Sequence, residues 1–308
     1  MSDPVACLPA SVGDLEVASA GDLVSVAGVE LVFWDGRSLP DRAGEIGFVV
    51  APDRFRSPEL LAQFDALEVV QTVSAGVDRV RPHVPEGVVL CNANGVHGGA
   101  VAEWVLAAIL AVLRDIPSYA AAQACGQWTN HTAGELAGQR VLIVGAGDLG
   151  RETARRLEPF DVTLTLVARS ARDGIHAMDE LPALLARTDV VIVVVPLTDE
   201  TRGMVDARFL AAMPDGAILV NAARGAVADT DALLAQARSG RLRLILDVTD
   251  PEPLPAEHPL WRIPGVLITP HVAGNVPGFP HRALRLVRDQ LERWRDGEPL
   301  ANVVSGSY

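Results

Sequence analysis

The sequence predicts an α/β fold of two domains, each built on a doubly wound parallel sheet. Short apolar runs rich in Val, Ile and Leu recur along the chain, and turn residues or helical patterns separate them. Strands of a parallel sheet are covered by helices on both faces, so they read as uninterrupted apolar runs of this kind. A chain of 308 residues also has the length of about two domains.

The central part of the chain alternates strand and helix signals clearly. Its predicted strands are 140–144, 162–168, 190–195, 217–221, 243–247 and 266–269. A helix is predicted at 229–239, with Asp229 or Thr230 as its N-cap and Gly240 just past its end. This alternation is typical of βαβ units and therefore of a parallel sheet.

The first hundred residues repeat the pattern on a smaller scale. Strands are predicted at 24–26, 31–34, 46–50, 69–73 and 88–91, and a helix around 59–64. An apolar helix at 101–114 carries the chain into the central part, and an amphipathic helix at 283–296 returns it to the first domain. We therefore predict one domain from residues 1–98 plus 284–308, with a second domain, residues 99–283, inserted between them.

Composition excludes several classes of partner and chemistry. The net charge is −13 and no basic block occurs, so no nucleic-acid partner is expected. The longest apolar run, residues 104–113, is far shorter than the ~20 residues that span a bilayer. All 26 cationic side chains are Arg, which excludes Schiff-base chemistry and the lysine of a P-loop.

The N-terminus has no basic segment followed by an apolar one, so no secretory signal is visible. Cys7, Cys91 and Cys125 lie far apart without CxxC spacing. This spacing argues against a disulfide framework and against a zinc site, and it fits a reducing cytoplasm. We expect a soluble cytoplasmic protein without a metal site.

A glycine-rich turn follows the predicted strand 140–144. Gly145, Gly147 and Gly150 form a GxGxxG motif, and a helix is predicted at 149–157. Here the first glycine permits a tight turn, the second lets the backbone approach a pyrophosphate, and the third allows close packing of helix on strand. In this strand–turn–helix context the motif predicts dinucleotide binding at a helix N-terminus, against the alternative of a purely structural turn. The inserted domain is therefore predicted to be a Rossmann nucleotide-binding domain, and the smaller one a flavodoxin-like substrate domain.

Polar residues follow the later strands one after another. Ligands of open parallel sheets bind beyond the carboxyl ends of the strands. The residues found there are Arg169, Pro196, Arg224, the loop 247–252 and His271. Their convergence on one edge of the sheet predicts a binding crevice.

His271 is the predicted acid/base. Imidazole can donate and accept a proton near neutral pH, as carbonyl reduction requires at the oxygen. Pro270 stiffens its backbone, and the small residues Ala273 and Gly274 leave room for a ligand. The alternative is a structural histidine after a buried strand.

Two further charged residues could support this chemistry. Glu252 lies between two prolines and could fix the tautomer of the histidine. Asp250 is the competing carboxylate for this role, and the alternative for both is a solvated acidic loop without a partner histidine. Arg224 has small neighbours and could bind the carboxylate of a 2-oxo acid or polarise its carbonyl. Its alternative is a surface salt bridge.

These residues together resemble the D-isomer-specific 2-hydroxyacid dehydrogenases, the family that includes glyoxylate/hydroxypyruvate reductases. The likeness covers nearly the whole chain. Its motifs are Ser74-Ala75-Gly76-Val77-Asp78, Ala102-Glu103-Trp104, the glycine loop, Pro196-Leu197-Thr198 with Thr201-Arg202-Gly203, the segment 221–225, Asp247 to Glu252-Pro253, and 258–261 through Gly274.

The resemblance implies a role for each matching residue. His271 would be the acid/base, Glu252 its partner and Arg224 the substrate anchor. Ser74, Ala75 and Gly76 would bind the substrate carboxylate through backbone N–H groups, and Asp247 would touch the nicotinamide carboxamide. The other implied cofactor contacts are Gly145, Gly147, Asp148, Leu149, Gly150, Arg169, Ser170, Pro196, Thr201, Ala222, Ala223, Ala273 and Gly274. The family is usually homodimeric through the region that matches 101–114.

The end of the second strand of the nucleotide domain departs from the pattern of NAD-specific relatives, which carry an Asp there. This chain has Ala168 followed by Arg169 and Ser170. Arg169 and Ser170 can hydrogen-bond a 2′-phosphate, with Arg172 as a third contact. The sequence therefore predicts a preference for NADP(H), with NAD(H) possible; alternatively Arg169 stacks on the adenine of either cofactor.

The resulting prediction is an oxidoreductase that transfers a hydride between NADP(H) and a small 2-oxo or 2-hydroxy acid, acting as a 2-oxoacid reductase. The alternative is a dinucleotide-sensing binding protein on the same scaffold. All three catalytic positions are filled, which favours the enzyme.

Overall fold

The computed structural model describes residues 3–52 and 55–306. The chain forms two compact units, residues 1–97 with 275–308 and residues 98–274. We call them unit 1 and unit 2; unit 2 is an insertion in the sequence of unit 1. Within the described ranges, no helix is both long enough and apolar enough to cross a membrane.

Both units alternate strands and helices along the chain. The strands are β1 (Val5–Pro9), β2 (Ser11–Val12), β3 (Leu15–Glu16), β4 (Glu30–Trp34), β5 (Ile46–Ala51), β6 (Val69–Thr72), β7 (Val89–Cys91), β8 (Arg140–Val144), β9 (Thr163–Ala168), β10 (Ile175–Ala177), β11 (Val190–Val193), β12 (Ile218–Asn221), β13 (Arg243–Leu246) and β14 (Val266–Ile268). The α-helices are α1 (Gly21–Val24), α2 (Gly98–Leu113), α3 (Ile116–Ala124), α4 (Asp148–Leu157), α5 (Leu181–Leu185), α6 (Ala207–Ala212), α7 (Thr230–Arg238) and α8 (Phe279–Asp296).

Unit 1 contains a five-stranded parallel sheet in the order β4-β1-β5-β6-β7. Every residue of β1 and β5 is buried, as expected for strands covered on both faces. Helix α8 places Ala283, Val287 and Leu291 in the same apolar cluster as Phe48 of β5. The two ends of the chain therefore share one core.

Two predictions in unit 1 differ from the structure, and one strand of its five-stranded sheet was not predicted. The strand predicted at 24–26 is wrong: Val24 is the last residue of α1, and Val26 is buried in the turn that follows. Strand β1 was missed because Val5–Pro9 has few β-branched residues, and its stability comes from pairing with β4 and β5, far away in sequence. The predicted helix at 59–64 is a 3₁₀ helix, Pro58–Gln63.

Unit 2 contains a seven-stranded parallel sheet in the order β10-β9-β8-β11-β12-β13-β14. The six strands predicted for it are present, with ends that agree to within two residues. The order reverses between β8 and β11, the position at which open parallel sheets bind ligands beyond the carboxyl ends of their strands. The α/β, doubly wound fold class is thus confirmed.

The structure places the boundary after unit 2 earlier than the predicted 283/284. Helix α8 begins at Phe279 and belongs as a whole to unit 1. Pro280 looks like a helix breaker in the sequence, but it lies in the first turn, where a missing N–H costs no hydrogen bond. Both Phe279 and Pro280 are buried, which fixes the start of the helix.

Candidate active site

The polar residues predicted at strand ends lie along one edge of the unit 2 sheet, because all its strands are parallel. Gly145 follows β8, Arg169 follows β9 and Arg224 lies just beyond β12. Asp247 follows β13 directly, and His271 lies three residues past β14. The sheet therefore collects on one edge the residue types that a dinucleotide and an acidic substrate require.

The three glycines of the loop after β8 have different surroundings. Gly145 has φ +116°, and a Cβ there would lie 2.6 Å from the Val194 carbonyl oxygen. A Cβ at Gly150 would lie 1.9 Å from the Gly145 carbonyl oxygen, so helix α4 can pack this closely only with glycine. Around Gly147, by contrast, no described atom would come within 4 Å of a Cβ. That open space lets a phosphate approach the backbone.

Helix α4 begins directly after Gly147, its N-cap residue. Gly147 has no side chain that could cap this N-terminus by a hydrogen bond. The N–H groups of the first helical turn have no partner inside the helix, and they carry the positive end of its dipole. The loop and helix therefore fit the pyrophosphate of a dinucleotide.

Two guanidinium groups lie at the end of β9. Arg169 forms an exposed ion pair with Glu200, with 3.0 Å between Nη2 and Oε2. Arg172 donates from Nη2 to the Ala146 carbonyl oxygen of the glycine loop at 3.2 Å. Ser170, between them, is exposed. This end of the sheet presents positive charge beside the loop, and Glu200 is a competing acid that sequence reasoning missed.

His271 and Glu252 form a hydrogen-bonded pair, with 2.8 Å between Nδ1 and Oε1. Of the two carboxylates that the sequence left open, Glu252 is thus the one bonded to the imidazole. Because Nδ1 donates its hydrogen bond to the carboxylate, Nε2 is the ring nitrogen that can contact a substrate. The imidazole is 42% exposed, so a ligand can reach it.

Arg224 is held in a tightly connected turn. Its Nη1 donates to the Ala223 carbonyl oxygen at 2.8 Å. The buried Asn221 closes the turn, since its Oδ1 accepts from Ala223 N–H and its Nδ2 donates to the Arg224 carbonyl oxygen. A Cβ at Gly225 would lie 1.9 Å from the Thr249 carbonyl oxygen, so glycine brings this turn against the loop after β13.

Thr201 organises the loop after β11. Its hydroxyl donates to the Pro196 carbonyl oxygen at 2.6 Å and accepts from Thr198 N–H at 2.9 Å. Both predicted cofactor contacts, Pro196 and Thr201, therefore belong to one hydrogen-bonded turn at the sheet edge.

In unit 1, the segment Thr72 to Gly76 is fixed through its carbonyl groups. The Thr72 hydroxyl donates to the Ser74 carbonyl oxygen at 2.7 Å, and the Ser74 hydroxyl donates to the Gly76 carbonyl oxygen at 2.8 Å. A ring nitrogen of His97 lies 3.1 Å from the Val73 carbonyl oxygen. The Ser74 side chain thus acts on the loop itself, a role that the sequence motif did not indicate.

Some residues of the site were not singled out from the sequence. Asn221 and Thr269 each lie at the end of an apolar strand, and both hydrogen-bond to neighbouring loop residues. A polar residue that ends an apolar run is a signal that could have found them.

Comparison with known proteins agrees with this geometry. The family model described as D-isomer specific 2-hydroxyacid dehydrogenase, NAD binding domain, matches residues 106–273. A glyoxylate reductase from Thermofilum pendens is 35% identical over 249 residues, which are 75% of this chain and 73% of the relative.

Solved structures extend the likeness to the whole chain. A D-isomer specific 2-hydroxyacid dehydrogenase from Xanthobacter autotrophicus, in complex with NADPH and MES, has a TM-score of 0.84 and 30% identity, covering 97% of this chain and 98% of that one. An NADPH-dependent glyoxylate/hydroxypyruvate reductase from Sinorhizobium meliloti, in complex with NADP and sulfate, has a TM-score of 0.85 and 29% identity, covering 98% of each chain.

The fold and the site edge define a dinucleotide-binding α/β protein. The chain belongs to the D-isomer specific 2-hydroxyacid dehydrogenases, oxidoreductases that act on CH–OH donors. The resemblance read from the sequence is thereby confirmed.

Proposed function

We propose that this chain reduces a small 2-oxo acid to the 2-hydroxy acid with NADP(H), as a reductase of the glyoxylate/hydroxypyruvate type. The observation that carries the proposal is the His271–Glu252 pair, 2.8 Å apart, on the same sheet edge as the glycine loop. Relatives and structural neighbours with this activity in their names support the substrate class.

His271 donates the proton in the proposed reaction. Reduction puts negative charge on the carbonyl oxygen, and a protonated imidazole neutralises it from Nε2. Glu252 holds the ring by Nδ1 and stabilises the positive charge of the imidazolium. The bound nicotinamide supplies the hydride for the carbonyl carbon.

Arg224 binds the substrate oxygen on which charge develops. Its anchor on the Ala223 carbonyl oxygen fixes the plane of the guanidinium, and the Asn221 turn fixes its backbone. A preorganised cation of this kind stabilises the developing negative charge without having to reorganise during the reaction.

For the substrate carboxylate we propose the backbone N–H groups of Ala75 and Gly76. The carbonyl oxygens of Val73, Ser74 and Gly76 accept hydrogen bonds from within unit 1. Side chains therefore fix the direction of this loop's peptide groups, which supports its use as an anion-binding segment.

The preference for NADP(H) rests on the end of β9. Arg169, Ser170 and Arg172 can all donate to a 2′-phosphate, and β9 ends in the neutral Ala168. Neighbours solved with NADP or NADPH support this assignment.

The test is the oxidation of NADPH, followed by absorbance, with glyoxylate and hydroxypyruvate in wild type and His271→Asn. We expect turnover in wild type and a loss of roughly 10²–10⁴-fold in the variant, with the NADPH Kd unchanged. NADPH binding without turnover of any 2-oxo acid would favour the dinucleotide sensor instead. More than a tenth of wild-type turnover in His271→Asn would remove this histidine from the mechanism.

We propose further that the enzyme is a cytoplasmic homodimer through the 101–114 region and the segment that follows it. Helix α3 directly follows α2 and buries none of its residues. Trp128, shortly after α3, is 99% exposed. Light scattering should give twice the chain mass for wild type and a shift toward the single chain for Trp128→Ser; an unshifted mass would exclude Trp128 from the interface.

A further inference from the structure

Asp247 lies one residue past β13 and is 3% exposed. Both of its side-chain oxygens accept hydrogen bonds from the segment that carries His271. Oδ1 accepts from the Thr269 hydroxyl at 2.6 Å and from Val272 N–H at 2.9 Å, and Oδ2 accepts from Ala273 N–H at 3.0 Å. A buried carboxylate is costly without such partners, so this arrangement is built into the fold.

The main chain of the same residue adds a further contact. The Asp247 carbonyl oxygen accepts from His271 N–H at 2.7 Å, and the preceding Leu246 carbonyl oxygen accepts from Thr269 N–H at 2.9 Å. The segment 269–273 is thus bonded to residues 246 and 247 on both sides of the histidine.

His271 itself has φ +55°, in the left-handed region that residues other than glycine rarely adopt. Such a conformation persists only where the surroundings determine it. The carboxylate of Asp247 binds two successive N–H groups, those of Val272 and Ala273, immediately after this residue. It therefore fixes the direction in which the histidine side chain leaves the backbone.

We propose that Asp247 is a positioning residue, which holds His271 in its left-handed conformation so that its imidazole meets Glu252 through Nδ1. The inference rests on the proposed role of His271. It gives Asp247 a second role, besides its expected contact with the nicotinamide carboxamide. Glu252 lies on the loop that begins at Asp247, so one loop orients the histidine by its backbone and by its ring.

The first test uses the protein without cofactor. The His271 ring resonances are followed by NMR with labelled histidine and assigned by their loss in His271→Asn. Asp247→Asn replaces one acceptor oxygen by an N–H donor, which must face Val272 or Ala273 N–H, so we expect the resonances to move. Thr269→Val removes one hydrogen bond and should move them less, whereas Thr269→Ser keeps the hydroxyl and should restore them.

The second test uses turnover to distinguish the positioning of His271 by Asp247 from the contact of Asp247 with the nicotinamide carboxamide. Asp247→Asn is compared with wild type using NADPH and the reduced 3-acetylpyridine analogue, which lacks the carboxamide N–H groups. We expect kcat to fall by at least about tenfold with both cofactors, because misplacing a catalytic group by an ångström is this costly. At Thr269 we expect the kcat of Thr269→Val to lie below that of Thr269→Ser.

Unmoved His271 resonances in Asp247→Asn and Thr269→Val would overturn the proposal. So would a kcat loss that disappears with the analogue, since Asp247 would then act through the carboxamide alone. If Asp247→Asn does not fold, the comparison of Thr269→Val with Thr269→Ser tests the proposal. Absence of wild-type turnover with every 2-oxo acid would refute the proposed function, and the NMR result would still report on the positioning.

Discussion

Arg224 and Arg169 are both arginines at strand ends, but their surroundings differ. Arg224 is anchored on its own turn by a hydrogen bond to the Ala223 carbonyl oxygen. Arg169 is 58% exposed and shares an ion pair with Glu200. The first arrangement is suited to orienting a reacting group, and the second to pairing with a charge that arrives from solvent.

For Arg224→Lys we expect kcat/KM for the 2-oxo acid to fall by about 10²-fold, because a lysine lacks the planar pair of donors. The measurement is steady-state kinetics at saturating NADPH. Arg208→Lys, an exposed position on α6, is the matched control and should leave the kinetics unchanged. Equal behaviour of the two variants would mean that Arg224 is a surface cation.

For Arg169→Asp we expect the ratio of kcat/KM with NADPH to that with NADH to fall by at least about tenfold, because a carboxylate repels the 2′-phosphate and accepts from a free 2′-hydroxyl. Glu200→Gln removes the competing acid and should raise the ratio by a small factor only, since exposed ion pairs are weak. A wild type that prefers NADH, or a ratio that Arg169→Asp leaves in place, would contradict the assignment.

At the scale of the element, the turn between β8 and α4 makes different demands on two of its glycines. A Cβ would be tolerated at Gly147, where the space is open, but not at Gly150, where it would overlap the Gly145 carbonyl oxygen. We expect Gly147→Ala to weaken NADPH binding in a fluorescence titration while leaving the Tm of the cofactor-free protein unchanged. Gly150→Ala should lower that Tm, because helix and strand must move apart. Equal Tm losses would show that the turn has no open phosphate site.

At the scale of the whole molecule, an ion pair links the two strands at the centre of the unit 2 sheet. Asp189 lies just before β11, and its carboxylate accepts three hydrogen bonds from Arg140 of β8. The donors are the Arg140 backbone N–H (2.8 Å), Nε (2.9 Å) and Nη2 (2.6 Å). The Arg140 side chain, as hydrogen-bond donor, holds the pKa of Asp189 below its ordinary value of 3.8. A lowered pKa in the folded state contributes stability above the unfolded-state value and loses it as pH falls through the folded-state value.

Asp189→Asn should therefore lower the Tm at neutral pH, and the difference from wild type should shrink as the pH falls below about 3.8. Thermal unfolding followed by circular dichroism between pH 3 and 7 measures this. Asp215→Asn is the matched control, because the Asp215 carboxylate is 87% exposed and its Oδ1 lies 3.5 Å from Nη1 of Arg241. A Tm difference for Asp189→Asn that does not depend on pH would contradict the proposed origin of its stability.

The sequence by itself determined six of the seven strands of the unit 2 sheet, the glycine loop and the polar residues at the strand ends, but not the edge strand β10. Apolar runs and turn residues are local signals, and each predicted strand there was found with nearly the predicted ends. In unit 1 the same reasoning missed β1, which is stabilised by pairing with the distant strands β4 and β5. It also misplaced a strand at 24–26, where the structure has the end of helix α1.

Only the tertiary structure decided which groups meet. The sequence left Glu252 and Asp250 as competing partners of His271, and the fold brings the Glu252 carboxylate to 2.8 Å from Nδ1. Nothing local indicated that Asp247 accepts from residues 269, 272 and 273, or that Glu200 pairs with Arg169. Hydrogen bonds between loops of different strands depend on sheet order and loop geometry, and a pattern read along one chain segment carries no information about either.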